Sequence, residues 1–188
     1  MTNSKESKQE LLANCFKDLL TKQPFHKISI KMITDRAGMN RSSFYKYFAD
    51  KYELLIFIAD YQVVRKVEML LEAGMIDAGV ELLFRSIVND AEFFQQAFAV
   101  EGQNSFEKGF SELLERCIRR QMEAARIELP LPSLLTMDNL ARCYSFTMTQ
   151  AIRAWLNSGR QTSVKELLEA YVFLSTHSLD QLMRPQGK

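Results

Sequence analysis

The residues with the most chemistry to offer lie in one stretch, DRAGMNRSSFYKYFADKYEL, residues 35–54. It sets Arg41, Ser42, Ser43, Tyr45, Lys46, Tyr47 and Lys51 close together, with Ser29 and Lys31 shortly before them. Guanidinium, ammonium and hydroxyl groups at this density suit a large polyanion. Arginine pairs bidentately with guanine, serine serves as an adaptable hydrogen-bond partner, and cations and tyrosine hydroxyls hold phosphate oxygens. Phe44 and Phe48 stand four apart on one helical face and belong to a core. The polar side chains fall on the remaining surface. An ordinary helical hairpin with a solvated basic face is the plain alternative. The conjunction of turn, caps, basic charge and aromatic placement favours a nucleic acid.

Other chemistry finds little support. The only histidines are His26 and His177, and G-x-S-x-G, H-E-x-x-H, P-loop and dinucleotide-binding patterns are all absent. An enzyme is therefore not expected, and neither is a cofactor. Cys117, Cys143 and His177 fall on three separate predicted helices and would bind zinc only if all three faced one cavity. Isolated cysteines on amphipathic helices are usually small buried hydrophobes, so no metal site is expected.

The elements that must position these residues are all helical. Leu11, Cys15, Leu19 and Leu12, Phe16, Leu20 form rows four apart, which predicts a helix over 7–22. Ser29 caps a helix over 30–37 that Gly38 ends, and Asn40 caps another over 41–48. Asp50 opens a longer helix to about residue 71, with Glu53 placed for a capping box. Further helices are predicted over 76–90, 91–100, 105–128, 133–157 and 163–183, with Pro130-Leu131-Pro132 as a stop. No alternating strand pattern or hairpin dipeptide occurs. The expected fold is all-α, with two short helices joined by Gly38-Met39-Asn40 as a helix-turn-helix.

The charge is divided unevenly. Residues 1–51 hold ten Lys or Arg against five Asp or Glu, whereas residues 52–188 hold fourteen against eighteen. This suggests a basic front module for a polyanion and an acidic rear module for something else. The longest apolar run, Leu54–Ala59, is too short to span a bilayer, and the polar N-terminus carries no secretory signal pattern. Three widely spaced cysteines form no disulfide framework, so a reducing cytoplasm is expected.

Residues 8–60 resemble the DNA-binding domain of the TetR family of bacterial transcription regulators. The resemblance is carried by Phe25, Ile28-Ser29-Ile30, Ile33, Ala37-Gly38-Met39-Asn40, Ser43-Phe44-Tyr45-Lys46-Tyr47-Phe48, Asp50-Lys51 and Leu54-Leu55. Departures are Tyr47 where histidine is usual, Ser42 where glycine is common and Asn40 where serine is frequent. The stretch IRAWLNSGRQTSVKELLE, residues 152–169, resembles a branch of the family that includes coactivators of dihydroxyacetone kinase genes. The resemblance implies a recognition helix in the major groove, a connecting helix into a helical effector domain, and dimerisation through the last two long helices.

The expected organisation is a DNA-binding domain over 1–50 and an effector-binding and dimerisation domain over 51–188. The expected function is that of an effector-responsive repressor, a homodimer on palindromic double-stranded operator DNA. A co-regulator controlled by a partner protein is one alternative, and a helical enzyme of unknown chemistry is another. The middle region is crowded with aromatics, and Phe98, Phe110, Tyr144 and Met148 are expected to wall an effector cavity among the helices. Recurrence at three- and four-residue steps assigns Ile152, Trp155, Leu167, Tyr171, Leu174 and Ser175 to the dimer interface.

Overall fold

A computed structural model describes residues 2–126, 136–159 and 163–178, together with residues 181 and 183, with side chains from Ser7 onward. Among these residues there are helices and turns and no strand. In chain order they are α1 (Thr2–Leu20), a 3-10 turn (Phe25–Lys27), α2 (Ile30–Arg36), α3 (Arg41–Phe44), α4 (Lys51–Ala59), a π-helical segment (Asp60–Val64), α5 (Arg65–Glu72), α6 (Ile76–Asn89), α7 (Ala91–Phe98), α8 (Phe106–Ala124), α9 (Met137–Asn157) and α10 (Val164–Thr176).

The helix starts follow from the polar caps in the sequence. Ser29, Asn40 and Asp50 each accept a backbone N–H from the first turn of α2, α3 and α4. Ser105, Thr136 and Ser163 do the same for α8, α9 and α10, and Ser163 forms a complete capping box with Glu166. Such caps satisfy donors that have no partner within the helix and contribute about 0.5–2 kcal/mol each. Gly38 takes φ of +63°, the left-handed region that costs glycine nothing, and so ends α2 and frees the chain to start α3.

The front core is built from the rows read in the sequence. Leu12, Phe16 and Leu20 of α1 meet Ile28, Ile33, Phe44, Phe48, Leu54 and Leu55, all of them buried. Burying each of these side chains contributes about 1.5–3 kcal/mol. Behind this core, rings fill the space between α7 and α8. Phe94, Phe98, Phe106 and Phe110 pack with centroids 5.0–6.2 Å apart.

The boundaries differ from expectation at several points. The α-helical part of α3 ends at Phe44, and tight turns from Tyr45 to Phe48 complete the expected 41–48 segment. The connecting helix runs without a break from Lys51 to Glu72, yet it widens to π geometry at Asp60–Val64. α9 starts at Met137 on a Thr136 cap, where a helix from residue 133 was expected. Ser133 and Pro130-Leu131-Pro132 lie outside the described residues. In the last helix α10 ends at Thr176, short of residue 183.

Candidate nucleic-acid interface

The basic, hydroxyl-rich stretch is positioned by three helix starts. Buried Phe44 and Phe48 anchor α3 to the front core, their rings 5.7 Å apart. That anchoring turns Arg41, Ser42, Tyr45 and Lys46 outward, where all four are exposed, and Ser43 is half-buried beside them. The starts of α2, α3 and α4 converge on a concavity of about 350 Å³ bordered by Ser29, Lys31, Arg41 and Lys51.

Within this surface the polar groups are already organised. Arg41 donates to the Tyr45 hydroxyl from Nη2 at 3.0 Å and from Nε at 3.3 Å. Its guanidinium lies 5.7 Å from the Tyr45 ring centre. Two of its donors are thereby held along the helix face while the others stay free for a ligand. Ser42 and Ser43 both donate their hydroxyls to Asn40 Oδ1 at 2.8 Å. Lys31 pairs with Asp35 at 3.2 Å, an exposed contact of the kind that yields readily. Lys46 stands exposed. Tyr47 is half-buried and packs against the front core.

Lys51 departs from expectation. Its Nζ donates to the carbonyls of Phe25 and Ile28, both at 2.8 Å, and sits 4.2 Å above the Phe25 ring centre. Burial lowers its pKa from the ordinary lysine value. Two of its three donors therefore fasten the turn before α2 to the start of α4, which leaves one donor at the edge of the concavity.

The residues expected to wall an effector cavity divide: Phe98 and Phe110 pack on each other, their rings 5.7 Å apart, whereas Tyr144 faces away from the core. Phe98 and Phe110 are buried in the ring cluster, Met148 is half-buried, and Tyr144 is 60% exposed on α9. The expected interface residues also divide. Ile152 is buried in the core of its own chain, and Trp155, Leu167 and Tyr171 pack partly against that core. Leu174 and Ser175 are exposed. Tyr144, Phe146, Val172 and Phe173 are exposed on the same two helices, a set of large apolar side chains that α9 and α10 leave uncovered. Cys117 is buried on α8, Cys143 is exposed on α9 and His177 caps the end of α10. Among the described residues no group of three His, Cys, Asp or Glu side chains is arranged to hold a metal.

Sequence reasoning missed a second set of groups. Asp60, in the π segment, accepts from Arg116 of α8 at 2.7 Å and from Arg65 at 2.9 Å. Glu68 of α5 is buried and accepts from Arg120 at 2.5 Å. Glu107 of α8 accepts from both Gln150 and Arg153 of α9. A polar concavity of about 370 Å³ opens beside Arg116, lined also by Glu112, Glu115, Arg119 and Arg142. The signal available in the sequence was the four-residue spacing of Arg116 and Arg120, but their acidic partners lie over fifty residues away.

A helix-turn-helix with an outward basic face, joined by one long helix to a larger helical bundle, defines a DNA-binding regulator of the two-module kind. The chain belongs to the TetR family of transcriptional regulators. Residues 17–57 match the family described as bacterial regulatory proteins, tetR family, and residues 76–175 match the transcriptional regulator C-terminal region. The chain is 25% identical over 159 residues to the HTH-type dhaKLM operon transcriptional activator DhaS of Lactococcus lactis subsp. lactis (strain IL1403), covering 73% of this chain and 84% of that protein. A solved structure of a dihydroxyacetone kinase operon activator DhaS is similar with a TM-score of 0.64 at 22% identity, over 89% of this chain and 93% of that one. Thermus thermophilus FadR, a TetR-family repressor in complex with lauroyl-CoA, is similar with a TM-score of 0.64 at 16% identity, over 95% and 97% of the two chains. No helix among the described residues is long and apolar enough to cross a membrane.

Proposed function

We propose that this chain is a cytoplasmic repressor that binds a palindromic operator as a homodimer and releases it on binding an effector. The observation that carries the DNA reading is the start of α3, where Arg41, Ser42, Tyr45 and Lys46 stand exposed over buried Phe44 and Phe48. Residues 1–50 form the DNA-binding unit and residues 51–188 the effector and dimerisation unit. The connecting helix starts at the boundary, on its Asp50 cap, and is tied to α8 of the second unit by Asp60 and Arg116. Rings fill the interior between α7 and α8, whereas the charged concavity beside Arg116 is open, so a polar effector bearing on Arg116 suits this chain. Such an effector shifts the population toward a dimer whose recognition helices no longer match successive major grooves. Its coupling to operator affinity would be about 1–3 kcal/mol and reciprocal. Activation is the second reading, favoured by the 25% identity to DhaS, which is named an activator.

Selection of bound duplexes from genomic fragments, followed by in vitro transcription from the selected promoter, tests both. Binding with lowered transcription supports the repressor. Binding with raised transcription gives the activator, and absence of any sequence-selective binding removes the DNA reading altogether.

A further inference from the structure

We propose that Asn40 fixes the hydrogen-bond polarity of Ser42 and Ser43, so that the start of α3 reads exocyclic amino groups of bases. This rests on α3 being the helix that enters the major groove. One side-chain atom of Asn40 receives three groups, each at 2.8 Å: the Ser43 backbone N–H, the Ser42 hydroxyl and the Ser43 hydroxyl. The backbone N–H decides which amide atom this is, because only the oxygen of a carboxamide accepts. A flipped amide would set two donors against each other and leave the helix start uncapped. The oxygen is acceptor-only, so in this geometry each serine directs its single hydroxyl hydrogen to it. What the two serines turn toward a ligand is lone pairs alone. A serine is normally adaptable, and here the adaptability is removed.

The consequence for base reading follows from the groove. The major-groove edge offers donors only at the amino groups of adenine and cytosine, whereas guanine O6 and N7 and thymine O4 are acceptors. Arg41, at the preceding position, is donor-only and suits guanine. The helix start therefore carries a fixed order, a donor at position 41 and acceptors at 42 and 43. An amino-bearing base beside the guanine taken by Arg41 fits this order, and a carbonyl-bearing base there faces lone pair against lone pair. Asn40 is a positioning residue that acts through its neighbours.

The test uses the full-length protein and the duplex it selects from a randomised pool. In that duplex each adenine is replaced in turn by purine, and each cytosine by 2-pyrimidinone, which removes single amino groups. Wild-type protein should lose affinity by at least about fivefold at one such position per half-site. Ser42→Ala with Ser43→Ala should abolish that sensitivity. Asn40→Gly, which keeps a tolerable cap without the oxygen, should let the hydroxyls rotate and bring discrimination at that position close to unity. Asn40→Asp retains an acceptor and should retain discrimination. Circular dichroism on each variant separates lost folding from lost reading. If no amino deletion changes affinity by more than about twofold, or if Asn40→Gly discriminates as wild-type does, the inference is overturned while operator binding stands. A wild-type protein that selects no sequence overturns the assignment of α3 itself.

Discussion

At the residue scale, three cations of the basic module have separated roles. Arg41 is exposed and keeps donors free, so Arg41→Ala should cost about 1–3 kcal/mol at one base position and relax specificity there. Lys46→Ala should weaken binding to all sequences alike and reduce the slope of log affinity against log salt by about one. Lys51→Ala should behave otherwise, because it takes the Nζ donor from the carbonyls of Phe25 and Ile28 and leaves Phe25 with the Ile28 N–H alone. It should lower unfolding stability by about 1–2 kcal/mol while leaving the salt slope unchanged. Urea melts and fluorescence titrations at several salt concentrations on the three variants check this, and a normal melt with a reduced slope for Lys51→Ala would return that lysine to the phosphates. The thiols divide in the same way. Burial, then the Glu68 carboxylate, pushes Cys117 up to about 11, so below that pH it stays a neutral thiol. Burial also raises Cys15, whereas Cys143 is exposed. Iodoacetamide at mildly alkaline pH should label Cys143 in the folded protein and the other two only after unfolding, read by mass spectrometry. The aromatic division of labour around α3 was legible in the sequence because spacing alone sorts Phe44 and Phe48 from Arg41 and Ser42. The role of Lys51 was not, since its partners are backbone carbonyls 26 and 23 residues away that no side-chain pattern announces.

At the element scale, helix starts were readable and helix interiors less so. Ser29, Asn40 and Asp50 act locally, and each caps the helix its sequence position predicts. The π segment at Asp60–Val64 has no such local signature. Its place coincides with contacts that reach across the fold. Asp60 meets Arg116, Gln62 accepts from Lys17 at 3.3 Å, and Lys17 also pairs with Asp90 at 2.7 Å. One stretch of the connecting helix is thus held by α1 of the front module and α8 of the rear one. π geometry inside α-helices is frequent at functional sites, and this position suits a joint between the modules. Asp60 is largely buried while Arg116 is more than a third exposed, so solvent screening reduces the value of the pair. A double-mutant cycle of Asp60→Asn and Arg116→Gln should give a coupling of about 1 kcal/mol in unfolding. The same variants should alter the effector dependence of operator binding more than operator binding itself. Additive effects in both readouts would leave the pair a surface contact with no part in communication.

At the scale of the whole molecule, the exposed apolar side chains of α9 and α10 require a cover. Among the described residues α10 has no fully buried side chain, although it carries Leu167, Leu168, Tyr171, Val172, Phe173 and Leu174. The periodicity of these residues was legible, but a single chain's sequence does not say which members face inward. Ile152 shows the difficulty: it shares the repeat of the exposed residues and yet is buried in its own chain. A second copy related by a two-fold axis would cover both helices at once and set two α3 helices about 34–36 Å apart, or a multiple of that, as successive major grooves demand. Leu174 is the sharpest probe, being 62% exposed in the single chain. Leu174→Glu should leave the folding of each chain intact, because the new carboxylate meets water there. In the dimer it should meet apolar side chains and its own symmetry-related charge, unpaired and buried. Analytical ultracentrifugation with circular dichroism on the same sample should show a helical monomer, and operator affinity should fall because one half-site alone offers too few contacts. A Leu174→Glu protein that stays dimeric with full affinity places Leu174 outside the seam. A wild-type protein that sediments as a monomer at micromolar concentration would instead give the apolar surface of α9 and α10 to a different partner.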